Sequence, residues 1–145
     1  MTKILLIKPP VYDFAAYDLW AKPLGLLYLS SLLKKQSVDI QLFDYMDRCS
    51  VLEKSPQSNQ YGCGHYIKDT KRKYYRFGIS GNTAEQYFKQ IDTPDIIIIT
   101  SNMTYWHIGI EEAISVLKQL FQKIPIALGV FYATLCSNHA KILII

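Results

Sequence analysis

The chain holds only three cysteines, Cys49, Cys63 and Cys136, and no two of them form a CxxC pair. No CxxxCxxC triplet occurs either, so neither a zinc ribbon nor a cluster-binding loop is encoded. Glycine is sparse at seven residues, and neither GxGxxG nor GxxxxGK(S/T) follows the first apolar run, which excludes those phosphate-binding loops. A GxSxG elbow is missing, and no Ser, His and acid stand in recognisable hydrolase positions. Phosphoreceiver chemistry needs an acidic pair after the first strand and an aspartate after a later one, an arrangement that "PPVYDF" and "TSNMTY" do not supply. No apolar stretch approaches the length of a bilayer span. The four-residue apolar run inside "MTKILLIKPP" is too short for a signal-peptide core. These absences point to a cytoplasmic protein with reduced thiols.

What is present is ordinary globular material: 145 residues, 50% of them hydrophobic and 19% charged, enough for one domain with a real core. The net charge of +4 permits an acidic partner without requiring one. "KILLIK" (3–8) is a short apolar run stopped by Pro9-Pro10 and reads as a strand buried on both faces. Pro23 suits the first turn of a helix over 23–36, with Leu24, Leu27, Tyr28, Leu32 and Ser31 on one face and Lys34-Lys35 at its end. "VDIQLFD" (38–44) alternates as a strand near a sheet edge does. Residues 47–82 lose all period and read as an irregular excursion, before a helical composition at 83–91.

"DIIIIT" (95–100) is β-branched and predicts a central strand of a parallel sheet. Ile110, Ala113, Ile114, Leu117, Leu120 and Phe121 then recur at helical spacing, and "PIALGV" (125–130) is a further strand. "KILII" (141–145) offers a fifth strand, although ten intervening residues are few for a parallel crossover, and the alternative is a domain cut short. The alternation predicts an α/β fold: an open parallel sheet of four or five strands with flanking helices. Ligands of such sheets sit beyond the carboxyl ends of the strands, where Pro10, Ser101 and Gly129 are expected to gather.

Other features have a plain and a functional reading. His65, His107 and His139 are scattered, and a lone histidine is more often a satisfied polar group than a ligand. "KDTKRKYYR" (68–76) has the look of a nucleic-acid grip, yet a solvated loop is the simpler account. Tyr12, Phe14, Tyr17 and Trp20 are costly to leave in water, and would cover the sheet's upper edge, a cofactor's flat face or a partner domain.

The segments "KILLIKPPVYDFAAYDLWAKPLGLLYLSSLLKK", "LFDYMDR", "YGCGHY", "YYRFGIS", "TSNMTYWHIGIEEAI" and "ALGVFYATLCSNHA" together resemble the N-terminal region of cobalamin-binding-domain radical S-adenosylmethionine proteins. The resemblance runs to Ala140 and implies a Rossmann-like domain of the cobalamin-binding type ahead of a barrel holding a [4Fe–4S] cluster. It implies a cobalamin site at Pro9, Pro10, Tyr12, Trp20, Thr100, Ser101, Met103, Thr104, Tyr105, Trp106, Gly129 and Tyr132, with Tyr105 and Trp106 lining the cleft. S-adenosylmethionine and the cluster would belong to the barrel, as a separate domain or partner protein. The chain ends ahead of any such barrel, so radical chemistry is not expected of it alone. Two departures stand out. The DxHxxG histidine is missing from "PPVYDFAAYD", and Gly129-Val130 replaces paired glycines. An interaction module without a ligand is the alternative.

Overall fold

The isoleucines at 96–99 have no polar side chain to turn towards water, and they lie in the interior of the sheet. The computed structural model describes residues 1–15, 22–47, 65–67 and 74–144. Its elements are β1 (Lys3–Lys8), β2 (Val11–Asp13), α1 (Leu24–Leu33), β3 (Asp39–Asp44), β4 (His65–Ile67), β5 (Tyr74–Phe77), α2 (Gly81–Phe88), β6 (Ile96–Thr100), α3 (His107–Leu120), β7 (Ile126–Gly129), α4 (Phe131–Leu135) and α5 (Ser137–Ile144). Strands β3, β1, β6 and β7 form one sheet in that order, every pair parallel. The chain is therefore an α/β protein with an open, Rossmann-like parallel sheet. Its strand order reverses between β1 and β6, as expected where ligands bind in such folds.

Alternation along the strands sorts the core into two layers. Leu5, Ile7, Phe43, Ile97 and Ile99 face one side, against Ala84 and Phe88 of α2, Ile110, Ala113, Ile114 and Leu117 of α3, Tyr132 of α4 and Ala140 of α5. Each fully buried Leu or Ile there contributes roughly 1.5–3 kcal/mol. Ile4 and Leu6 face the other side, under Leu26 of α1. The apolar stripe predicted for α1 is therefore its outer face: Leu24 and Tyr28 are each 70% exposed, while Leu26 turns inward. "LGLLYLSSLL" is apolar nearly all round, so periodicity alone could not say which face meets the sheet.

Two further expectations change. "KILII" supplies no fifth strand: residues 137–144 are helix α5, whose Ala140, Leu143 and Ile144 join the main core. A helix places Ala140, Leu143 and Ile144 on one side, a spacing that a strand would split between two faces. The described part of the excursion is ordered rather than irregular. β5 pairs antiparallel with both β2 and β4, giving a second sheet in the order β2-β5-β4. Cys49, Cys63 and residues 68–73 of the basic stretch lie outside the described residues, and no described helix is long and apolar enough to cross a membrane.

The joint between the sheets is tight. Ile79 N–H donates to the Tyr45 carbonyl at 2.7 Å, and Gly78 (φ 109°) lies where a Cβ would come within 2.7 Å of that same oxygen. Ser80 then caps α2, its hydroxyl accepting from Thr83 N–H at 3.2 Å. Tyr45 is wholly buried, its ring edge-on to Phe43, and its hydroxyl has no hydrogen-bond partner among the described residues. Burial pushes that phenol above its ordinary pKa range. Tyr45→Phe removes an unpaired buried polar group, and should raise unfolding stability by about 1 kcal/mol. Urea denaturation checks this, and a loss of stability instead would reveal a bonded hydroxyl.

Candidate functional site at the carboxyl rim of the sheet

All four parallel strands deliver their carboxyl ends to one rim, which places Pro9-Pro10, Asp44, Thr100-Ser101 and Gly129-Val130 on the same edge. Over β1 this rim is closed by the protein itself. The backbone of α3 approaches β1 so closely at Gly109 that an added Cβ would lie 1.8 Å from the Pro10 carbonyl oxygen. Trp106 is buried beside it with Val11, Met46 and Phe77, and its indole N–H donates to Asp13 Oδ2 at 2.6 Å. Pro9 and Pro10 are buried. Of the aromatic pair expected to line a cleft, Trp106 is thus core, whereas Tyr105 stands half exposed.

Tyr12 also has a structural partner. Its hydroxyl donates to Glu112 Oε2 at 2.8 Å, and Arg76 grips the same carboxylate through Nε (2.9 Å) and through an Nη to Oε1 (2.6 Å). Arg76 donates further to the carbonyls of Gly78 and Ile79. This cluster ties β2 and β5 to α3. It also commits one cation of the 68–76 stretch to the fold. Trp20 lies outside the described residues.

Towards β6 and β7 the rim is polar below and apolar above. The buried Ser101 hydroxyl donates to the Gly129 carbonyl and accepts from Ala133 N–H at 3.3 Å, while Ser101 N–H also reaches Gly129 O at 3.0 Å. Thr104 opens the turn that carries Tyr105 and Trp106, and that turn touches α4. Met103, Tyr105, Val130 and Phe131 are exposed on these two segments, an apolar margin facing solvent. Tyr132 is buried beneath it. Its hydroxyl is paired with His139 Nδ1 at 2.5 Å, and its ring stacks on His107 with centroids 6.2 Å apart. The rings of His107 and His139 meet edge to face at 5.4 Å, and His107 Nδ1 lies 3.3 Å from the Thr104 carbonyl. The two histidines, unrelated by any sequence motif, are brought together only by the packing of α3 against α5. Among the described residues no three His, Cys, Asp or Glu side chains are arranged to hold a metal ion.

One group was legible in the sequence but not singled out there. Lys8 and Asp44 are in register on β1 and β3, and Thr100 continues the row on β6. All three point to the α1 side and are nearly buried, with Lys8 Nζ 3.8 Å from Asp44 Oδ1. Burial raises the Asp44 carboxyl above its ordinary range, and the Lys8 ammonium pulls it back. The signal was parity: Lys8 shares its face with Ile4 and Leu6, and Asp44 with Ile40 and Leu42. A charged pair there, between β1 and β3 and one strand from the reversal of strand order, is a polar floor rather than an open binding surface.

Val130 is the conformational outlier of the rim. It sits at φ 75°, ψ −160°, a region that glycine enters freely and a β-branched side chain does not. Val130→Gly should relieve this strain against the entropy of a new glycine, for a net gain of about 1 kcal/mol. A shift of the urea midpoint to higher concentration is expected, and a lower midpoint would contradict the strain. No family model, curated protein or solved structure matches the chain.

Proposed function

We propose that the chain is a non-catalytic domain of the cobalamin-binding type that positions a cofactor or substrate for a radical S-adenosylmethionine barrel. The observation that carries this reading is Val130, a valine held in a glycine conformation where the resemblance expects paired glycines. Space supports it as well: a Cβ added at Gly129 meets nothing within 4 Å. The apolar margin of Met103, Tyr105, Val130 and Phe131 is suited to the flat face of a macrocycle, at β6 and β7 rather than over the closed Pro9-Pro10 corner. His107 and His139 are the imidazoles at that margin. A bound corrinoid would supply the cobalt chemistry, and this chain's residues would hold and shield it. S-adenosylmethionine and the iron–sulfur cluster would be held by the barrel.

Titration of the purified chain with hydroxocobalamin tests the reading. A changed visible spectrum and a corrinoid that stays with the protein through desalting are expected, and an unchanged spectrum with no retention rejects it. A second reading, an interaction module without a ligand, is favoured by the outward Leu24, Leu27, Tyr28 and Leu32 of α1. Under it, Leu24→Ser with Tyr28→Ser abolishes co-purification with a separately encoded barrel protein, while the corrinoid titration stays blank.

A further inference from the structure

The two edges of the parallel sheet are built differently. β3 carries Asp39 and Gln41, polar side chains of the kind that discourage edge-to-edge pairing. β7 reads "IALG", with no charge and no proline within it, and Ala127 is exposed. Ile97 N–H donates to the Pro125 carbonyl and Ser101 N–H to the Gly129 carbonyl, both at 3.0 Å. Odd-numbered positions of this strand therefore face β6. By alternation, the N–H and C=O of Ile126 and of Leu128 point away from the sheet. Among the described residues no strand pairs with that side. Pro125 does not block it, because its missing N–H falls on the β6 side.

We propose that this edge is a dimer interface in which β7 pairs antiparallel with β7 of a second copy of the chain. The edge is complementary to itself. A twofold axis at Ala127 sets Ile126 opposite Leu128 of the second copy, and Leu128 opposite its Ile126. Both are then hydrogen-bonded pairs, so every outward backbone group of the two residues is satisfied. Ala127 meets its own counterpart in the close, non-bonded position, where Cα atoms stand about 4.5 Å apart and a small side chain fits. The interface is isologous and closes on itself, which ends assembly at the dimer. The two helices that pack against β7 leave Leu135 of α4 and Ile142 of α5 exposed by 71% and 72%, apolar surface that a second copy can cover. The inference stands apart from the cofactor reading, since β7 joins through its side and the rim through its end.

Sedimentation and light scattering of the purified chain over a concentration series should show a species of twice the 16.7 kDa chain mass. Ala127→Lys places two ammonium groups at the axis and should yield monomers with unchanged circular dichroism. Mixing equal amounts of A127K and A127E should restore the dimer, which a defect in folding would not do. On the wild-type chain, amide exchange of Ile126 and Leu128 should slow as concentration rises while the other edge, β3, stays unaffected. A chain monomeric at all concentrations overturns the proposal. So does a dimer that survives A127K, an assembly that grows without limit, or amide exchange at Ile126 and Leu128 that ignores concentration.

Discussion

Gly109→Ala should destabilise the protein by about 3 kcal/mol or more, the upper end for overpacking, because neither clashing partner is a flexible side chain. The added Cβ would lie 1.8 Å from the Pro10 oxygen and 2.8 Å from its carbonyl carbon, both backbone atoms of the segment leaving β1. Relief requires the amino end of α3 to lift away from β1. That end carries Trp106 and, one turn on, Glu112, so lifting it disturbs both Trp106–Asp13 and the Arg76 cluster. A fall in melting temperature of roughly 10 °C follows for a domain of this size. Emission from Trp106 should also shift to the red as its ring gains water. Thermal melts and fluorescence of G109A check this, and a variant as stable as the wild type would show that the close approach at Pro10 is wrong.

Glu112→Gln should cost about 2–4 kcal/mol, less than for a fully buried pair because the side chains of Arg76 and Glu112 keep 12% and 21% of their exposure. The loss comes mostly from the guanidinium left desolvated with carbonyls alone, and the variant also weakens the bond that Tyr12 donates. The double variant Arg76→Met with Glu112→Gln should be less destabilised than the sum of the single changes, since it removes both charges. The cluster also sets an alkaline limit. Burial, and then the bond to Glu112, push the Tyr12 hydroxyl from its ordinary value of 10.0 up to about 12. Its folded pKa lies above the unfolded one, so its contribution is complete below pH 10 and is lost as the pH rises through 12. Tyr12→Phe should flatten that part of the stability–pH curve. An unaltered alkaline slope would remove Tyr12 from the account.

How much of this could be read beforehand depends on the range of the interaction concerned. "KILLIK", "DIIIIT" and the 3.6-residue repeat from Ile110 to Phe121 declare their elements because each segment's own apolar pattern fits one secondary structure, and Ile110, Ala113, Ile114 and Leu117 of α3 are buried where that spacing marks them, while Leu120 is only partly covered. β2 and β5 were not legible. Three residues in "PPVYDF" and four in "KYYRFG" have no pattern of their own, and become strands only by pairing with each other. Glu111-Glu112 read in the sequence as a macrodipole match, but α3 begins at His107 and has no acidic residue in its first turn. In the fold, Glu112 serves instead as the anchor for Arg76 and Tyr12 from another sheet.

By itself, the sequence determined the parallel α/β class, the edge character of β3 and the central place of β6, and the rim on which Pro10, Ser101 and Gly129 fall, because hydrophobic periodicity acts within a few residues. Only the tertiary structure decided what stands at that rim. It closed the β1 corner with Trp106 and the backbone of Gly109, set His107 against His139, and left Val130 in a glycine conformation. Those outcomes depend on contacts between segments far apart in the chain, whose geometry is fixed when the elements pack and is carried by none of them singly.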